Sequence, residues 1–171
     1  AKRQLLAALE AVINADRRVS LHEFVVLELA RSQLAPRGKP GAAGSRRLVE
    51  LPAEAMVLLS LVAHAGTRHD ATGKRSEDLA AAMRAGCREM GIAAAPAVTA
   101  LRLEVAAAAL EGLKALAPMQ KAILVKGLFA AVSADGTIRV LEAELMRLVG
   151  AVLDCPLPPL LESIDPATLA A

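Results

Sequence analysis

The sequence predicts an all-α protein of about seven helices, and three observations lead to that prediction. Alanine and leucine dominate a chain that is 55% hydrophobic, whereas aromatic residues make up only 1% of it. Alanine and leucine rank at the top of helix propensity, while sheets favour aromatic and β-branched residues. Apolar residues also recur at helical spacing in successive segments, and Ser, Pro and Gly mark the segment ends.

Length, charge and cysteine content narrow the classes of function. The 171 residues suffice for one domain or two small ones, and no apolar run reaches the roughly 20 residues that span a bilayer. A net charge of +2 and two Phe residues disfavour a nucleic-acid interface. Cys87 and Cys155 are too few for a disulfide framework, so we expect reduced, buried thiols. Because the chain opens on Ala1 in helical register, we expect a fragment of a longer protein.

The first two predicted helices form a hairpin. Leucines recur on one face over residues 2–15, which predicts an amphipathic helix. Ser20 and Glu23 then match a capping box, in which each side chain accepts a hydrogen bond from the other residue's amide. The second helix is expected to run to about Leu34. A flexible basic linker rich in Pro and Gly follows over residues 36–47.

The central region, residues 48–117, is predicted to contain three helices rich in Ala and Leu. The first starts near Pro52, because proline is compatible with the first turn of a helix. The second starts at Ser76, and Gly91 is placed to end it. The third is expected over residues 97–117, where apolar residues again recur at helical spacing.

A second hairpin is predicted over residues 118–155. Pro118 starts its first helix, and residues 138–153 form its second. The tail over residues 156–171 begins with several prolines, which lack amide donors and do not begin a regular helix. We expect these elements to form a single helical domain over residues 1–171.

The hairpin of residues 1–35 is a pseudo-repeat of the second hairpin. When the two are aligned, Asp16 falls on Asp135 and Glu23 falls on Glu142. Each copy has an Asp, an aliphatic residue three positions later and a Glu seven positions later. The Asp suits capping of turn amides, and the Glu lies in the first helical turn, where the helix dipole favours negative charge. The pattern therefore indicates a structural turn.

The second turn also admits a metal-binding interpretation. Ser133, Asp135 and Glu142 match the second half of a calcium-binding loop, which places oxygen ligands at such positions. The first ligand position of that loop is apolar, Ala131. A capped turn in which Ile138 fills the core is therefore favoured over a calcium site.

Other titratable residues give weaker signals. His22 lacks the second His of a zinc-protease helix, because position 26 is Val26. His64, His69 and Asp70 could approach one zinc ion, but a solvated or hydrogen-bonded pair explains them as well. No pattern of nucleophile and base points to catalysis in this chain.

Residues 14–23 and 133–142 resemble the Ala-Asp turn signature of TerB-like helical domains. The wider arrangement has an Ala-rich middle and a second turn that ends in residues 153–160. It is similar to the C-terminal helical region of bacterial HtpX-like membrane zinc metallopeptidases. The resemblance covers nearly the full chain and is strongest over residues 4–34 and 118–161.

This resemblance implies a membrane-anchored N-terminal peptidase domain that binds zinc and lies outside this chain. The chain would be a non-catalytic accessory or regulatory domain without a cofactor of its own. Its partner would be that peptidase domain or another protein, at the cytoplasmic face of the bacterial inner membrane. The alternative implied by TerB-like proteins is a free-standing stress-response domain that binds a divalent cation through Asp16, Glu23, Asp135 and Glu142.

Overall fold

The computed structural model describes residues 2–13, 20–34, 44–66, 74–155 and 157. Within these residues the fold is all-α, as the sequence predicts, with seven α-helices and a short 3-10 helix at Leu48–Glu50. The α-helices are α1 (Lys2–Ile13), α2 (Leu21–Leu34), α3 (Pro52–Gly66), α4 (Lys74–Met90), α5 (Leu103–Leu113), α6 (Pro118–Val132) and α7 (Val140–Leu153). None of these described helices combines the length and apolarity required to cross a membrane.

The chain divides into two compact units, Ala1–Ala42 and Ala43–Ala171. The boundary lies inside the predicted basic linker over residues 36–47. In the first unit α1 and α2 pack against each other as a hairpin. Helix α2 buries Phe24 and Val25, whose exposed fractions are 4% and 3%.

Helix α3 is the centre of the second unit, where it contacts α4, α5, α6 and α7. Its residue Leu59 is fully buried among them. The backbones of α4 and α6 approach closely at two glycines. A Cβ on Gly86 would lie 3.1 Å from the carbonyl oxygen of Gly127, and one on Gly127 would lie 3.0 Å from that of Gly86. Glycine at both positions therefore permits this helix contact.

The predicted start of α2 at a capping box and the predicted end of α4 at Gly91 are both confirmed. The Ser20 amide donates to Glu23 Oε2 at 2.7 Å, and the Glu23 amide donates to Ser20 Oγ at 3.2 Å. This is the predicted capping box. Gly91 has a φ of 65° and ends α4, and the Ile92 amide donates to the Cys87 carbonyl at 3.1 Å. Glycine adopts this left-handed conformation without the steric cost of a Cβ.

Three predicted helix starts are wrong. Helix α4 begins at Lys74, two residues before the predicted Ser76. The helix predicted over residues 97–117 spans only Leu103–Leu113. Val98, in the expected first turn, is instead non-helical and held against α3, where its amide donates to Ser60 Oγ at 2.9 Å and its carbonyl oxygen lies 3.2 Å from His64 Nε2. Helix α7 begins at Val140, two residues later than predicted, since the residue before it has extended backbone angles.

Cys87 and Cys155 are not joined in a disulfide. Cys87 is buried on α4, and Cys155 is only half-buried just after α7. The prediction of a buried thiol is therefore confirmed for the first cysteine and is wrong for the second.

Candidate functional site

The predicted turn between α6 and α7 is a network of charged side chains. The Thr137 amide donates to Asp135 Oδ1 at 2.9 Å, which is the predicted amide cap. Arg139 Nη2 donates to Asp135 Oδ2 at 2.8 Å. The Arg139 backbone amide donates to Glu142 Oε2 at 2.7 Å, and its Nη1 lies 3.7 Å from the same oxygen. Arg139 therefore interacts with both carboxylates that were candidate metal ligands.

Glu142 is an ionisable group in an unusually buried position, with an exposed fraction of 3%. Burial raises the pKa of Glu142 to about 7, and this effect outweighs the hydrogen bond and charge of Arg139, which lower the pKa. Asp135 adds a repulsion that also raises the pKa. Glu142 Oε1 lies against Gly66 at the end of α3, where any Cβ would overlap it. A glycine at this position therefore makes room for the carboxylate.

These groups line a recess of about 70 Å³ between α3, α4, α6 and α7. Asp78 of α4 adds a third carboxylate to the lining, and most of the remaining surface is alanine. Within the part of the chain that the structure describes, no three His, Cys, Asp or Glu side chains are grouped as a metal site. The Arg139 guanidinium supplies the positive charge between Asp135 and Glu142 that a cation would otherwise supply.

The corresponding turn of the first hairpin has a different environment. Glu23 occupies the position equivalent to Glu142, but it is only half-buried. Hydrogen bonds from Ser20 lower the pKa of Glu23, in contrast to the raised pKa of Glu142. Asp16, its predicted partner in metal binding, lies outside the described residues.

The other predicted site residues serve structural roles or lie outside the described ranges. His64 Nε2 lies 3.2 Å from the Val98 carbonyl oxygen, within hydrogen-bond distance. His69 and Asp70 lie outside the described residues, so a zinc cluster with His64 stays a prediction. Ile138 is only half-buried, so the prediction that it fills the core is wrong; the neighbouring Glu142 is the buried side chain of this turn.

A second candidate surface, which the sequence did not reveal, is an apolar groove beside α4. Leu79 and Met83 of α4 line it on one side, and residues 94–97 with Thr99 line it on the other. The groove has a volume of about 390 Å³. Among its described lining residues Arg84 is the single charged one, and it forms no ion pair with any described residue. We call this surface the α4 groove.

The far wall of the α4 groove is a non-helical segment, residues 92–98, that is held at both ends. The glycine stop of α4 fixes its start. Its end is held by α3, because the Val98 amide donates to Ser60 Oγ at 2.9 Å and the Val98 carbonyl contacts His64. Between these anchors, no backbone amide or carbonyl of residues 93–97 forms a hydrogen bond with any described residue. These backbone groups are therefore available to water or to a partner.

Comparisons of the chain with protein-family models, with curated proteins and with solved structures each find no match. The resemblance to TerB-like and HtpX-like proteins therefore stays an expectation based on the two turns. The sequence signal for the α4 groove is weak: a helix-ending Gly91 followed by an alanine-rich stretch that contains Pro96.

Proposed function

We propose that this chain is a non-catalytic accessory domain that binds a segment of a protein partner in the α4 groove. The groove is the observation that carries the proposal. Its volume of about 390 Å³ lies within the range of binding pockets, and its lining is apolar apart from Arg84 and Thr99. Leu79 is half-exposed there and Met83 lies beneath the surface, so apolar area is accessible without unfolding.

We propose further that the partner is the peptidase domain of a membrane-anchored zinc metallopeptidase of the HtpX-like kind. The support for this partner is the resemblance of the turns at residues 14–23 and 133–142. In this proposal the peptidase domain holds the zinc and performs the chemistry. The accessory domain binds that domain, or a substrate presented to it, at the cytoplasmic face of the inner membrane.

The test starts with the gene sequence upstream of Ala1, where the proposal expects hydrophobic spans and a His-Glu-x-x-His helix. The full-length protein is then compared with its Leu79→Glu variant in cleavage of a model substrate. Binding of the peptidase domain to this chain is measured by calorimetry. Met119→Glu is the matched control, because Met119 is 73% exposed on α6 and does not line the groove.

We expect Leu79→Glu to weaken binding by about tenfold or more, because it places a charge in an apolar contact. The control should bind like the wild type. Equal binding by all three proteins would contradict use of the groove. An upstream sequence without a peptidase domain would contradict the proposed partner.

One observation favours a second candidate function, divalent cation binding by a TerB-like domain. Asp78, Asp135 and Glu142 line the same recess. A cation there would have to displace the guanidinium of Arg139, which now interacts with two of these carboxylates. Titration with calcium, magnesium and zinc distinguishes the candidates, since an ion that binds the native state must raise the melting temperature. Unchanged melting at millimolar ion would exclude this function.

A further inference from the structure

We propose that the α4 groove takes its partner as an added β-strand, paired with the backbone of residues 93–97. This inference rests on the proposed function and specifies how the partner segment is bound. In strand addition, an extended peptide forms main-chain hydrogen bonds with an unpaired edge, while alternate side chains enter neighbouring pockets. The segment supplies the unpaired edge, and the groove supplies the pocket.

The hydrogen bonds of Val98 determine which edge of the segment faces away from α3. Its amide and carbonyl both point to α3, where they contact Ser60 and His64. An extended chain directs the backbone groups of alternate residues to opposite edges. In the extended conformation that strand addition requires, Ala94 and Pro96 share the inward edge with Val98.

The outward edge then consists of Ala93, Ala95 and Ala97. Each has an amide donor and a carbonyl acceptor that form no hydrogen bond with the described part of the chain. Pro96 has no amide, but on the inward edge it removes no donor from this ladder. Proline also favours extended geometry at Ala95, the residue before it. Ala93 and Ala95 are exposed, and Ala97 is half-buried.

The two anchors reduce the cost of binding. The stop at Gly91 and the α3 contacts at Val98 hold both ends of the segment before a partner arrives. A segment already ordered loses less conformational entropy on binding than a free loop does. This arrangement favours strand addition over a mode that requires the segment to refold.

The groove lining determines the chemistry of the added strand. Leu79 and Met83 favour apolar partner side chains at alternate positions, and the flexible thioether of Met83 adapts to different shapes. Arg84 lines the same groove and has no ion-pair partner among the described residues. A guanidinium in this situation favours a carboxylate. The occupant is therefore an extended peptide with alternating apolar residues and an Asp, a Glu or a terminal carboxylate beside them.

The probe for this proposal is a set of heptapeptides selected by phage display on the full chain and then synthesised. Their affinities are measured by fluorescence polarisation with two proline variants. Ala95→Pro removes an outward amide donor, whereas Ala94→Pro makes the same substitution on the inward edge. Both residues are exposed in the free chain. Circular dichroism checks that each variant keeps its helical content.

We expect Ala95→Pro to weaken binding by about tenfold, the effect of losing a main-chain hydrogen bond together with its neighbours. Ala94 lines the groove, but Ala94→Pro keeps every outward amide, so it should weaken binding by a smaller factor than Ala95→Pro. N-methylation of alternate peptide amides should abolish binding in one register and leave it unchanged in the other. The selected peptides should share apolar residues at alternate positions and an acidic group.

Three results would overturn strand addition. In the first, the peptides bind both proline variants equally but lose affinity for Leu79→Glu. The proposed function would then stand, and the peptide would bind as a helix or in another conformation instead of as a strand. Peptides whose affinity does not depend on Leu79 would overturn both proposals. A dimer of the chain that Ala95→Pro dissociates in sedimentation experiments would assign the edge to a second copy instead.

Discussion

The recess at Glu142 and the α4 groove lie in the same helical unit, but they differ in what they leave unsatisfied. In the recess, Arg139 already interacts with Asp135 and Glu142. In the groove, Arg84 has no ion-pair partner and residues 93–97 have no backbone partners among the described residues. The site with the recognisable motif is thus largely complete within the chain, whereas the site without a motif has the features of a binding surface.

The largest expected effect is a pH dependence of the folding stability that arises from Glu142 in the recess. The native pKa of Glu142, about 7, lies above the ordinary value of 4.5 expected in the unfolded chain. The native state therefore binds this proton more tightly. The resulting stabilisation is complete below about pH 4.5 and is lost as the pH rises to about 7, a change of roughly 3 kcal/mol.

Glu142→Gln isolates this contribution, because it keeps the shape of the side chain without its ionisation. The free energy of unfolding is measured in urea at about pH 4.5 and about pH 8. Between these values the variant should gain roughly 3 kcal/mol of stability relative to the wild type. Glu23→Gln serves as the control from the first hairpin. There the lowered pKa has the opposite sign, so stability is lost as the pH falls. The same pH response in both variants would contradict the contrast between the two turns.

The next largest effect is expected for Arg139→Met. The variant removes the cation shared by Asp135 and Glu142 and should lower the free energy of unfolding by about 2 kcal/mol at about pH 8. The loss should be smaller at acid pH, where Glu142 is protonated. Arg102→Met is the matched control, because the side chains of its ion pair with Glu104 are 75% and 78% exposed. A loss no larger than that of the control would show that the recess does not depend on its arginine.

A smaller effect is expected for Asp135→Ala. If this carboxylate serves as a cap for the Thr137 amide, the loss should be about 1 kcal/mol in urea unfolding. The measurement is repeated with a divalent-ion chelator. A much larger loss, together with a wild type that the chelator destabilises equally, would indicate a bound cation at this turn.

The smallest effect on stability is expected for Arg84→Ala in the α4 groove. This exposed side chain forms no ion pair with a described residue, so the free energy of unfolding should change by less than about 0.5 kcal/mol. Affinity for acidic peptides selected on the chain should nevertheless fall by about tenfold. If Arg84→Ala destabilises the fold, or leaves the binding of acidic peptides unchanged, Arg84 is not a binding residue of the α4 groove.

The parts of the fold that could be predicted from the sequence are those determined by neighbouring residues. The capping box at Ser20 and the stop at Gly91 each depend on atoms within a few positions in the chain. The α5 start could not be predicted, because Val98 is held by Ser60 from another helix. The burial of Glu142 likewise depends on distant packing against the end of α3, and the α4 groove exists only once α4 and the following segment are in place.

Amide hydrogen exchange of the full chain, with and without a selected peptide, tests the central claim most directly. Strand addition in the α4 groove predicts that the peptide slows exchange at Ala93, Ala95 and Ala97. The Thr137 amide, which donates to Asp135 beside the recess, should exchange at the same rate with and without the peptide. Unchanged exchange at the three alanines, or protection confined to the recess, would contradict the account.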